Sequence, residues 1–177
     1  MKYVRKLVLC GMICSLGTAP AALAGNDTNA MVSQTMIIDA PVKAVWEAMR
    51  TLRRNDPSHR KVLSSGGGDY VVEEKFDNIP VLGKAVCTYK EHETPMKKLE
   101  YSMIKSDKLK AFGGQWNLAP AGDNKTKLEL SSRTDAGISI PFAGKITKGR
   151  TAKSIEKRLE EVRDIATRAA GPQVALK

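Results

Sequence analysis

The chain is poor in the residues that staple, ligate and catalyse. It has three cysteines and two histidines in 177 residues, and aromatic side chains make up only 5%. Two of the cysteines, Cys10 and Cys14, lie in an apolar run near the N-terminus, which leaves Cys87 alone in the rest of the chain. An internal disulfide there is excluded, and a hydrophobic core must hold the domain. One cysteine with His59 and His92 far apart supplies no zinc-ligand spacing, so no metal and no cofactor is expected. Gly66-Gly67-Gly68 has no helix or lysine directly after it, and Gly149 to Ser154 lacks the phosphate-loop spacing, so neither is a nucleotide cradle. The apolar run from Leu7 to Leu16 is shorter than the roughly 20 residues that span a bilayer.

That run follows Lys2, Arg5 and Lys6 and precedes Ala22-Leu23-Ala24, the layout of a secretory signal peptide. Residues 1–24 are therefore expected to be a signal, and no lipoprotein cleavage box precedes Cys10 or Cys14. The protein is expected to be exported, in periplasmic style. Residues 25–31 are polar and expected to be a flexible N-terminus, 32–170 a single domain, and 171–177 a tail. The signal carries three of the 29 basic residues and none of the 19 acidic ones, so the mature chain keeps a net charge of +7. A basic surface favours anionic partners. Export points to anionic lipid headgroups or envelope polymers rather than nucleic acid.

Met36, Ile37 and Ile38 favour a strand; after Ala40-Pro41, Val42, Val45, Trp46, Met49 and Leu52 recur at helical spacing. Six period-two segments follow, near 61–65, 70–77, 84–93, 98–104, 112–119 and 126–134, separated by glycine, proline, asparagine and aspartate. From Phe142 to Ala170 the period becomes helical, with Ile155, Leu159, Val162, Ala166 and Ala169 on one face and Gly171-Pro172 as the stop. The absence of helices between the later strands excludes a parallel sheet. The pattern predicts an α+β helix-grip fold, a curved seven-stranded antiparallel sheet wrapped around a long C-terminal helix.

Three stretches, DAPVKAVWEAM (39–49), FGGQWNLAPAGDNKT (112–126) and IPFAGKITKGRTAKSIEKRLEEVRDIA (140–166), resemble the SRPBCC, or START-like, superfamily of polyketide cyclases, dehydratases and lipid-transfer domains. The resemblance spans about Met31 to Ala170 and rests on structural signatures, so it speaks to fold before activity. It implies a cavity between sheet and helix that holds a hydrophobic small molecule or lipid, so an exported binding or transfer protein is expected, the alternatives being a cyclase- or dehydratase-type enzyme using a cavity carboxylate and an envelope interaction protein with a collapsed cavity.

Ile79-Pro80-Val81-Leu82-Gly83 and Ile140-Pro141-Phe142-Ala143-Gly144 share the order Ile-Pro-apolar-apolar-Gly. In an antiparallel meander these loops and the turn at 105–110 fall at one end, beside Lys105, Lys108, Lys110, Lys145 and Lys148. Two readings are open. Ile79, Val81, Leu82, Ile140 and Phe142, with Lys108 and Lys145, form a mouth that docks on an anionic membrane surface, or the apolar residues tuck inward as an ordinary core cap.

For the cavity wall, the turn at Thr94-Pro95 can pair Tyr89 with Tyr101. That at 120–124 can pair Trp116 with Leu128 and Gly114 with Leu130. Cys87, Tyr89, Tyr101, Met103, Gly114, Trp116, Leu128, Leu130, Ile155 and Leu159 are the candidate ligand-facing residues, core packing being the competing role. Gly113-Gly114 in mid-strand marks either a bulge or room for a ligand. No catalytic group stands out. Glu91 with Tyr89 is the weak alternative, a general base if the carboxylate is buried and a solvated strand-end acid if not. Oligomeric state has no signature in the sequence.

Overall fold

A computed structural model describes residues 31–54, 56–79, 82–137 and 143–171. The predicted signal peptide, residues 25–30, the tail beyond Gly171, and Val81, Ile140 and Phe142 of the paired loops lie outside the described residues. The elements run β1 (Val32–Ile38), α1 (Val42–Arg54), β2 (Arg60–Gly66), β3 (Asp69–Ile79), β4 (Gly83–Thr94), β5 (Lys98–Ser106), β6 (Ala111–Pro120), β7 (Thr126–Asp135) and α2 (Ala143–Ala170). The seven strands form one antiparallel sheet in the order β1-β7-β6-β5-β4-β3-β2. With α2 packed along β1, β7 and α1, this is the predicted helix-grip fold.

The strand-to-helix junction forms as the sequence requires. Pro41 stands immediately before α1 with its carbonyl accepting from the Val45 amide at 3.2 Å, so its locked φ and missing N–H cost nothing. The buried Thr126 hydroxyl donates to the Ala40 carbonyl at 2.8 Å and ties the junction to β7. Val45, Trp46, Ala48 and Met49 are buried in α1, as are Ile155, Leu159, Val162 and Ala166 in α2. Ala169, expected on the same stripe, is exposed because the helix runs past the core. Gly171 then takes φ +70°, the left-handed conformation that closes a helix C-terminus.

Two expected cross-strand pairings are displaced by two residues. Tyr101 lies opposite Glu91, and Tyr89 opposite Met103; Trp116 lies opposite Leu130, Gly114 opposite Ser132, and Leu118 opposite Leu128. The cause is turn position. The connections close on 95–97, with Thr94 opposite Lys98, and on 121–125, with Pro120 opposite Thr126, each one residue further along the chain than expected, with Met96 at φ 58° and Asn124 at φ 53° in the left-handed conformation within them. Side chains alternate with period two, so the displacement keeps every residue on its expected face.

Candidate functional site

The inner face of the sheet and the inner side of α2 border two adjoining, partly open chambers. The first, about 220 Å³, lies under the C-terminal end of α1 and is walled by Arg53, Arg60, Glu74, Tyr89, Glu91 and Trp116. The second, about 170 Å³, lies under the first half of α2, over Phe76, Ile79, Leu109, Leu130 and Ile155. Tyr101, Phe112 and Arg158 belong to both. Phe112 is the hub of an aromatic cluster, its ring centroid 5.2 Å from those of Phe76 and Tyr101 and 5.4 Å from that of Tyr89. Each chamber is smaller than the roughly 300–1,000 Å³ of a small-molecule site.

The first chamber is ionic. Glu91 is only 3% exposed, contrary to the solvated reading, and it is not free. Arg60 Nη2 donates to Glu91 Oε2 at 2.7 Å, and Arg53 pairs with the same oxygen while its other Nη donates to Glu93 at 3.2 Å. Burial pushes the Glu91 carboxyl up from the ordinary range, while the two guanidiniums act in the opposite direction. The Tyr89 hydroxyl donates to Glu74, and burial pushes that phenol strongly up. Burial likewise pushes the Cys87 thiol up to about 12, so it is an inert core group. At the outer lip, His59 bridges Asp56 (2.8 Å) and Asp77 (2.6 Å), and these hydrogen bonds, that to Asp56 foremost, raise its pKa.

Five of the ten candidate wall residues line the chambers: Tyr89, Tyr101, Trp116, Leu130 and Ile155. Cys87, Leu128 and Leu159 are buried core, and Met103 is half-buried beside a groove that opens on the outer face of the sheet. Gly114 leaves no room for a ligand. A Cβ built there would fall 2.7 Å from Tyr101 Cζ and inside contact distance of the Ser131 carbonyl. The phenol of Tyr101 crosses this glycine to reach Ser132 Oγ at 2.9 Å. The gap in the side-chain row is thus filled by an aromatic ring from the neighbouring strand. Phe112, Arg53, Arg60 and Arg158 were missed, and only Arg158 had a signal in the pattern, since it interrupts the apolar stripe of α2.

The connections expected at one end do meet there. Lys108 Nζ donates to the Leu82 carbonyl at 3.3 Å, the Asp107 carboxylate accepts from the Val86 amide at 2.8 Å, and the Lys110 amide donates to the Asp135 carbonyl at 2.9 Å. Ile79 and Leu82 pack against the core instead of standing free, which follows the core-cap reading for these two residues. Ile104 and Ile146 are exposed apolar residues near this end, the second next to the exposed Lys145. Among the described residues no cluster of three His, Cys, Asp or Glu side chains is placed to hold a metal, and no helix is long and apolar enough to cross a membrane.

A curved sheet gripping a long helix over an internal space defines the class as a START-like binding fold. The profile of the family described as polyketide cyclase/dehydrase and lipid transport matches residues 29–167, and the chain belongs to that family. Solved structures of the same fold include the Zhui aromatase/cyclase from Streptomyces sp. R1128 (18% identity, 77% of this chain and 93% of that one, TM-score 0.63). A protein of Thermus thermophilus matches at 17% identity over 80% of this chain and 99% of that one, TM-score 0.66. A START superfamily protein from Mycobacterium smegmatis matches at 14% identity, 77% and 99%, TM-score 0.59. No curated protein matches the chain.

Proposed function

We propose that this chain is an exported carrier that holds a hydrophobic molecule, a lipid in the first instance, between its sheet and α2 and exchanges it at an anionic membrane. The observation that carries this reading is the pair of adjoining chambers with Phe112 between them and aliphatic or aromatic side chains over much of the floor. Burying apolar ligand surface there is worth roughly 25 cal/mol per Å², enough for one acyl chain without many polar contacts. The family description names lipid transport alongside cyclases and dehydrases. The cyclase or dehydratase alternative places its general base at Glu91, and there the carboxylate is held by two guanidiniums.

Docking is assigned to the end that carries Lys108 and, at the start of α2, Lys145 and Lys148 beside the exposed Ile146. Each lysine near an anionic surface contributes about 1 kcal/mol. Co-sedimentation with phosphatidylglycerol vesicles is expected to fall at least about tenfold when Lys108 and Lys145 are both changed to Glu. Undiminished pelleting of that variant would remove the docking role while leaving the cavity untouched.

A further inference from the structure

The inward side of α2 changes character along its length. From Ile155 onward it is apolar, with Leu159, Val162 and Ala166 buried in the core. In the first half, the positions that face the second chamber are Thr147, Arg150, Thr151, Ser154 and Arg158. Thr147, Thr151 and Arg158 are half-buried there while Arg150 and Ser154 are exposed, so this part of the helix carries its polar groups along a partly open rim of the chamber.

The second chamber has two guanidiniums and no acid in its wall. In the first chamber Arg53 and Arg60 are taken up by Glu91 and Glu93. Among the described residues Arg150 has no carboxylate within 4.0 Å, and the partner found for Arg158 is Glu74 at 3.9 Å, beyond hydrogen-bond range. Glu74 already accepts the Tyr89 hydroxyl. The opposite wall is mostly apolar, with Phe76, Ile79, Leu109, Phe112 and Leu130, and carries Ser132 and Thr134 as its hydroxyl groups beside Tyr101.

We infer that the second chamber is a headgroup subsite for an amphiphile carrying a carboxylate, held by Arg150 and Arg158 on α2 with its apolar body against Phe112, Leu130 and Ile155. The inference rests on the carrier reading and names its ligand class. A guanidinium offers a planar fork of donors that matches a carboxylate, and Thr147, Thr151 and Ser154 add hydroxyl donors on the same helix face. Arg158 keeps 40% of its side chain exposed, so the head stays at the rim, where a charge need not be fully dehydrated.

Calorimetric titration with decanoate and with decanol, equal in chain length and differing in the head, tests this at moderate salt. The wild-type chain is expected to prefer decanoate by roughly ten- to a hundredfold, the range of a charge-assisted hydrogen bond. In Arg150→Met/Arg158→Met that ratio is expected to fall to near one, and Arg150→Lys/Arg158→Lys to recover part of it. Lys157→Met, on the outer face of α2 and paired with Glu161 at 3.7 Å, is expected to keep the wild-type ratio. Equal affinity of the wild type for both ligands, or a ratio unmoved by the double methionine variant, would overturn the headgroup subsite and leave the carrier reading standing. Failure of both ligands to bind the wild type would overturn the carrier reading and this inference with it.

Discussion

Gly114→Ala is expected to lower the stability of the domain by about 3 kcal/mol, at the upper end for overpacking a core, because neither neighbour of the new methyl can retreat. On one side is the Ser131 carbonyl, part of the β6–β7 ladder; on the other is the ring of Tyr101, whose hydroxyl is held by Ser132 at 2.9 Å. Moving the first breaks a sheet register, and moving the second swings an aromatic side chain into the cavity. For a domain of this size about 3 kcal/mol corresponds to a fall in Tm of roughly 6–12 °C. Thermal unfolding followed by circular dichroism measures it. A Tm within about 2 °C of wild type would mean that Tyr101 does not occupy the space over Gly114.

The second large effect is electrostatic. Arg53→Met/Arg60→Met removes both guanidiniums from Glu91, whose side chain is 3% exposed. Stranding a buried charge costs about 3–5 kcal/mol. The loss is expected near pH 8 and should shrink on acidification. With its cations gone, burial holds the Glu91 carboxyl further above its unfolded value. In the window between those two values the folded state binds more protons than the unfolded one. Stability of this variant therefore rises as pH falls through the raised folded value. Denaturant unfolding at pH 5 and pH 8 separates this from lost packing, and adding Glu91→Gln should restore most of the pH 8 loss. A deficit equal at both pH values and untouched by Glu91→Gln would refute the ionic account of the first chamber.

The architecture was readable because its signals are local. Pro41 before an amphipathic run, six alternating segments with turn residues between them, and a change of period at α2 needed no tertiary knowledge. Register was less readable. Where a turn such as Pro95-Met96-Lys97 places its left-handed residue is decided by backbone geometry and not by composition, and the displacement of two residues cost the pairing but not the face. The two readings offered for Gly114, room for a ligand or a bulge, both omitted a ring from the next strand, since Tyr101 becomes its partner only once the register is known.

Glu91 shows the limit most sharply. A buried carboxylate is improbable without partners, and its partners Arg53 and Arg60 lie 38 and 31 residues away in sequence, on α1 and at the start of β2. Only the folded chain brings them together, across the mouth of the first chamber. The polar stripe at Thr147, Arg150, Thr151, Ser154 and Arg158 is different: it stands in the helical pattern of α2 itself. Read as a breach in an otherwise apolar face, it marks where the helix stops packing and starts lining a space.

The central claim is that the space between sheet and α2 takes an apolar ligand. Heteronuclear NMR of the labelled protein during titration with decanoate tests it most directly. The account predicts saturable shifts centred on Tyr101, Phe112, Leu130 and Ile155, which face the chambers, with little change at Ile37 or Ile104, which are exposed. Shifts confined to exposed residues, or none at all, would contradict it.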